Sequence, residues 1–123
     1  MITFDTNSII YYLEGAQEVV PIVEEILTAQ PRPLIATVSE LELFSSPSLT
    51  STEAVRIEEF ISTCVLVLLD SQIARIGAKL RREYRLKTAD SIVAATALFT
   101  NSTLLTRNVK DFKKIPDLSL QAV

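Results

Sequence analysis

Histidine is absent from this sequence, and the 123 residues include only one cysteine and two glycines. Without histidine the chain has no Ser-His-Asp triad, no Cys-His pair and no histidine-ligated zinc or haem. The single cysteine, Cys64, excludes a disulfide framework, and its place in the apolar run CVLVLL predicts a core side chain. Two glycines cannot build a glycine-rich phosphate loop. Any catalysis must therefore use carboxylates, hydroxyls, Lys, Arg or Tyr.

The N-terminus also lacks the basic stretch and long apolar core of a signal peptide, and no apolar run reaches the length of a membrane span. We therefore expect a soluble, cytoplasmic protein with no membrane partner. A composition with 48% hydrophobic and 22% charged residues is typical of a globular protein. The length predicts a single domain over residues 1–123 that buries a core without disulfides or a structural metal.

Charge is distributed unevenly along the chain, although the net charge is only -3. Residues 1–74 hold 11 acids against 2 bases, whereas residues 75–123 hold 10 bases against 4 acids. This asymmetry is typical either of a nucleic-acid-binding face or of solvated helix faces. The candidates for phosphate contacts are Arg75, Lys79, Arg81, Arg82, Arg85, Lys87, Arg107, Lys110, Lys113 and Lys114.

Strand and helix patterns alternate along the chain. Apolar runs predict strands at 2–5, 34–38, 64–70 and 102–106, with a short edge strand within 118–123. Helical spacing of apolar residues predicts helices at 7–14, 17–29, 39–44, 52–62, 71–84 and 88–100. The run 64–70 is apolar almost throughout and predicts a buried strand, and 88–100 predicts a central, buried helix. This alternation favours an α/β fold with a mostly parallel sheet covered on both faces.

Acidic residues follow several of these predicted strands. Asp5 ends the first strand, Glu40 lies just past the second, and Asp111 follows the fourth, as does Asn108. Because ligands bind beyond the carboxyl ends of parallel strands, these segments bring acids to one edge of the sheet. Asp90 comes instead from the start of a helix, where an acid is also stabilised by the helix dipole.

A cluster of carboxylates needs cations to hold it together, since two of them within about 4 Å repel by roughly 4 kcal/mol at an effective dielectric of about 20. Oxygen-only ligands favour Mg²⁺ or Mn²⁺. Such a centre can polarise a phosphodiester and activate water without histidine. The pattern is therefore typical of metal-assisted phosphodiester hydrolysis.

Four segments together resemble one family. They are FDTN with the following IIYYLEG, TVSELELFSSP after the second strand, LKTADSIVAATAL, and LLTRNVKDFKKIPDL near the end. In this order and at these distances they resemble the PIN-domain ribonucleases, and most closely the VapC-type toxins of VapBC toxin-antitoxin pairs. The resemblance covers essentially the whole chain. It implies a three-layer α/β/α domain with a central, mostly parallel sheet of four to five strands.

The resemblance also implies which residues act. It assigns catalysis to Asp5, Glu40, Asp90 and Asp111, with Asp5 and Asp90 on the main metal, Mg²⁺ or Mn²⁺. Glu42 remains the rival of Glu40, and Asn108 is an alternative to Asp111 for the fourth position. Polar residues beside the acids that either orient them or act as caps are Thr6, Asn7 and Thr106.

The implied activity is cleavage of RNA by a homodimer that a cognate antitoxin inhibits. The apolar run Ile9–Leu13 either packs on an antitoxin or a second protomer, or is buried on several sides.

Two other hypotheses stay open. One is a PIN-like module that binds RNA or protein without cutting. The other is a phosphatase that forms an aspartyl-phosphate at Asp5, although such enzymes commonly carry DxD where this chain has Asn7.

Overall fold

Five short strands form one sheet in which every neighbouring pair is parallel. The structure is a computed structural model that describes residues 1–123. The strands are β1 (Ile2–Phe4), β2 (Leu34–Ala36), β3 (Val65–Val67), β4 (Thr103–Thr106) and β5 (Leu120–Ala122). Their order across the sheet is β3-β2-β1-β4-β5, which places β1 in the centre.

Seven helices connect and flank the strands. They are α1 (Thr6–Leu13), α2 (Val20–Thr28), α3 (Thr37–Leu43), α4 (Ser51–Ser62), α5 (Ser71–Tyr84), α6 (Thr88–Phe99) and α7 (Val109–Phe112). Pro21 lies in the first turn of α2, where a missing N–H breaks no helical hydrogen bond. Thr50 and Glu53 form a capping box that begins α4. None of the helices combines the length and apolar character needed to cross a membrane.

Helices cover both faces of the sheet, and each face has its own core. Leu104 and Leu105 are adjacent in β4 and fully buried, yet they belong to different clusters because successive strand residues point to opposite faces. Leu104 packs with residues of α5 and α6, whereas Leu105 packs in a cluster with Phe4 and Phe60. The predicted three-layer α/β/α architecture is confirmed.

The helix α6 lies in the interior, as its composition predicts. Six of its residues are buried, and small alanines allow the neighbouring elements to approach closely. A Cβ at Gly77 of α5 would lie 3.4 Å from the carbonyl oxygen of Ser91. The pair α5 and α6 therefore packs tightly at this point, with Asp90 held at the beginning of α6.

The prediction of a fully buried third strand was wrong. β3 spans only Val65–Val67 and forms one edge of the sheet. Val65 is 42% exposed and Leu68 is 67% exposed. An apolar run predicts a strand but does not say whether the strand lies at the centre or the edge. Cys64 is buried as expected, and the short edge strand near the C-terminus is confirmed as β5.

Candidate metal centre

The strand order β3-β2-β1-β4-β5 has a topological switch point between β1 and β4. From β1 the next strands, β2 and β3, extend to one side, whereas β4 and β5 lie on the other. In open parallel sheets, ligands bind outside the carboxyl ends of the strands at such a switch point. Asp5 directly follows β1, and Thr106 ends β4. The topology thus places both residues at the switch point.

Asp5 is a buried acid, with 4% of its surface exposed. It occupies the N-cap position of α1, but its side chain makes no capping hydrogen bond. Instead Oδ2 accepts a hydrogen bond of 2.8 Å from the hydroxyl of Thr106. A role as a helix cap therefore does not account for this residue.

The pKa of Asp5 is raised from 3.8 to about 6, mainly by burial. The Thr106 hydrogen bond lowers this pKa, whereas the charges of Asp90 and Glu42 raise it. No Lys or Arg forms an ion pair with Asp5. A buried carboxylate beside two further acids is costly unless a cation joins them.

Asp90 lies in the first turn of α6 and is half-buried. Its pKa is raised, first by burial and then by the charge of Glu42. Lys87 opposes this rise, and Asp111 adds to it. Four acids from four chain segments thus lie within electrostatic reach of one another, directly or through a shared neighbour: Asp5, Glu42, Asp90 and Asp111.

The second acid of this environment is Glu42 and not Glu40. The hydroxyl of Thr6 donates a 2.7 Å hydrogen bond to Oε1 of Glu42 and lies 2.8 Å from Oγ of Ser39. Glu42 raises the pKa of both Asp5 and Asp90, whereas Glu40 acts on neither. Residues two apart in a helix face different directions, so α3 can present only one of the two acids to Asp5. The structure therefore favours Glu42 over the predicted Glu40.

Asn108 connects two parts of the centre. Its backbone N–H donates to Oγ1 of Thr106 at 2.9 Å, and its side-chain Nδ2 donates to Oδ2 of Asp111 at 3.1 Å. Nζ of Lys114 lies 3.9 Å from Oδ1 of Asp111. Asp111 is thus the acid in this segment, and Asn108 orients it while also supporting Thr106.

The side chains of this centre that could bind a metal offer only oxygen atoms, which suits a hard divalent cation. No three acidic side chains stand close enough together to form a preformed cage for an ion. Mg²⁺ commonly binds through only one or two carboxylates and keeps several waters, so such a cage is not required. The buried charge of Asp5 and its raised pKa are the features of this centre that a cation would relieve.

Comparison with known proteins identifies the family. A family model described as PIN domain matches residues 2–118. The chain belongs to the PIN-domain family. The resemblance inferred from the four sequence segments is thereby confirmed, and the hypothesis of an aspartyl-phosphate phosphatase is set aside.

This PIN domain is similar to proteins named for toxin-antitoxin systems. It is 30% identical over 119 residues to Ribonuclease VapC19 of Mycobacterium tuberculosis, covering 93% of this chain and 94% of that protein. A toxin-antitoxin complex from Klebsiella pneumoniae matches with a TM-score of 0.82 and 30% identity, covering 96% of this chain and 95% of that one. VapBC2 from Rickettsia felis bound to a promoter DNA fragment shares the fold at a TM-score of 0.84, with 22% identity and coverage of 100% and 99%.

Sequence reasoning about this PIN domain predicted Asp5, Asp90 and Asp111 as site residues and considered Glu42 only as the rival of Glu40. The decisive contact comes from Thr6, which lies 36 residues away in the chain. The signal that was available is the spacing of Ser39 and Glu42, three apart, which places a hydroxyl and a carboxylate on one helix face.

Proposed function

We propose that this PIN domain is a cytoplasmic, Mg²⁺- or Mn²⁺-dependent endoribonuclease that acts as the toxin of a type II toxin-antitoxin pair. The observation that carries the proposal is the burial of Asp5 within the electrostatic reach of Asp90 and Glu42, with no ion pair to any of the three. The name of the Mycobacterium tuberculosis relative, Ribonuclease VapC19, supports RNA as the substrate.

We assign the cation to Asp5 and Asp90, with water completing its coordination. When bound, the cation polarises the phosphodiester and stabilises negative charge that develops during hydrolysis. Asp5 is oriented for this contact because Thr106 holds Oδ2, which leaves Oδ1 available. The cost of burying Asp5 as an anion is then offset by the cation.

Glu42 and Asp111 position and activate the attacking water in this proposal. Thr6 holds Oε1 of Glu42, so Oε2 remains available to accept a proton from the water. The water oxygen forms a bond to phosphorus while the bond to the leaving ribose oxygen breaks. Asn108 fixes one oxygen of Asp111 and leaves its other oxygen facing Lys114.

The proposed partners are an antitoxin and a second copy of the chain. A cleft of about 400 Å³ beside Glu42 is lined by ten residues, and the five hydrophobic ones include Ile10, Leu13 and Ile57. We assign this cleft to an apolar segment of the antitoxin. The solved complex from Klebsiella pneumoniae supports a partner of this kind. For a homodimer, the supporting feature is the exposed apolar edge around Val65 and Leu68.

A second candidate function is a PIN module that binds RNA or protein without cutting. The observation that favours it is that no three acids converge closely enough to form a cage for an ion. The two functions make opposite predictions about metal-dependent cleavage.

The test is cleavage of a mixed pool of structured RNAs by antitoxin-free protein with Mg²⁺, with Mn²⁺ and with EDTA. Folded Asp5→Asn and Asp90→Asn variants are compared with Asp117→Asn, which removes an exposed acid. Cleavage that needs metal and is lost only in the first two variants supports the nuclease. If neither metal yields cleavage beyond the level of the variants, the binding module is the better description.

A further inference from the structure

A basic cleft lies at the C-terminal end of α5, outside the proposed metal centre. Its volume is about 540 Å³, and it is open to solvent. The cleft is lined by Ala78, Arg81, Arg82, Arg85 and Leu86. Three of the five side chains are thus guanidinium groups, and none is acidic.

The guanidinium groups of this basic cleft have no carboxylate partner. The ion pairs of the structure join Lys79 to Glu83, Arg107 to Glu18 and Lys114 to Asp111. Within the cleft, Nε of Arg81 donates to the carbonyl oxygen of Leu86 at 3.1 Å, which fixes that side chain and leaves its terminal nitrogens available. Arginine forks of this kind match the geometry of a phosphate.

The backbone at Arg85 adds an independent observation. Arg85 ends α5 with a φ of 55°, in the left-handed region where glycine or asparagine is usual. A residue with a side chain is disfavoured in this conformation. The residue that adopts this conformation is nevertheless an arginine, and its side chain lines the cleft.

The basic cleft is close to the proposed metal centre along the chain. Leu86 lines the cleft, and Asp90 follows four residues later, so their Cα atoms are at most about 14 Å apart. Between them, Lys87 lowers the pKa of Asp90 through its charge. A nucleic acid strand whose scissile phosphate lies at Asp90 would therefore carry neighbouring phosphates towards this cleft.

We propose that Arg82 and Arg85 bind a phosphate of the RNA strand that flanks the scissile phosphate, with Arg81 beside them. The inference rests on the proposed nuclease function, because it takes the strand to run past Asp90. The basic cleft is then a positioning surface that sets the register of the strand. It contacts the phosphate backbone of the RNA and does not distinguish one base from another.

Binding of a fluorescently labelled single-stranded RNA to the Asp5→Asn protein tests this inference, measured by anisotropy over a range of salt concentrations. In that background we compare Arg82→Gln and Arg85→Gln with Arg32→Gln, an exposed arginine that precedes β2 and therefore lies at the opposite edge of the sheet from Asp5. We expect each cleft variant to weaken binding about 3- to 10-fold and to lower the salt slope by about 0.7. Arg32→Gln should change neither.

Arg85→Gly separates a role in binding from a role in stability. Glycine suits the left-handed conformation, so this variant should unfold at the same or a higher temperature while losing as much RNA affinity as Arg85→Gln. RNA binding that is unchanged in both Arg82→Gln and Arg85→Gln overturns the inference, as does an equal loss with Arg32→Gln. Because this assay needs no cleavage, its outcome is distinguishable from a failure of the proposed nuclease activity.

Discussion

The hydroxyl of Thr106 donates to Oδ2 of Asp5 across the boundary between β4 and β1, with a distance of 2.8 Å. Oγ1 of Thr106 in turn accepts a hydrogen bond from the backbone N–H of Asn108 at 2.9 Å. Because a hydroxyl has one hydrogen, the Asn108 contact leaves that hydrogen committed to Asp5. The carboxylate is thus oriented by a hydroxyl that is itself fixed by the backbone.

Replacing Thr106 tests this arrangement. In Thr106→Val the pKa of Asp5 should rise above its value of about 6, because the hydrogen bond that lowers it is lost. Activity at neutral pH should fall about 10- to 100-fold. Thr106→Ser retains the hydroxyl and should keep most of the activity. NMR titration of the Asp5 carboxyl in metal-free protein measures the shift, and an unchanged pKa in Thr106→Val would contradict this role.

The contribution of Asp5 to the stability of the metal-free protein should fall as pH rises from about 4 to 6. The pKa of Asp5 is about 6 in the folded chain against 3.8 for the ordinary group, so the folded state holds this proton more tightly. Stability from this group is fully present below pH 3.8 and is lost as pH rises through 6, by about 3 kcal/mol. Asp90 shifts in the same direction. Urea unfolding at a series of pH values, compared between this protein and Asp5→Asn, isolates the contribution of Asp5.

Asp5→Asn should therefore raise the thermal stability of the metal-free protein at pH 7.5 while abolishing cleavage. The substitution removes a buried charge, and the amide oxygen of asparagine can still accept the Thr106 hydrogen bond. Addition of Mg²⁺ should stabilise the original protein more than the variant, since only binding to the folded state contributes. Calorimetry with and without Mg²⁺ measures both effects. A variant that melts lower than the original in EDTA would show that the Asp5 charge does not destabilise the fold.

Glu42 and Glu40 should differ sharply in their effect on cleavage. We expect Glu42→Gln to reduce the rate by about 10²-fold or more, because it removes the proposed proton acceptor. Glu40→Gln, a matched change two residues away, should retain the rate within a few-fold. Single-turnover cleavage under saturating metal compares the two. The reverse order of effects would restore Glu40 to the role predicted from the sequence.

The fold was predictable from the sequence because its signals are local. Apolar strands, helical spacing and the interior character of α6 all follow from neighbouring residues. The position of β3 was not predictable in this way, since Val65–Val67 pairs on one side only and its exposure depends on the order of strands.

The choice between Glu40 and Glu42 could not be made from the sequence for a similar reason. The helix was predicted from residue 39, whereas α3 begins at Thr37, and the direction in which each acid points depends on the helix's place against α1. The side chain that engages Glu42 is Thr6, which no local pattern connects to it. Asp5 and Asp90 could be predicted because each lies at the boundary of a strong strand or helix signal.

The central place of β1 has a consequence for synthesis of the chain. Asp5 is made well before β4, the strand that completes its surroundings, and Asp111 follows β4. A nascent chain that lacks these residues cannot orient Asp5 or present its fourth acid. The centre is therefore complete only after β4 and Asp111 have been made and β4 has paired with β1.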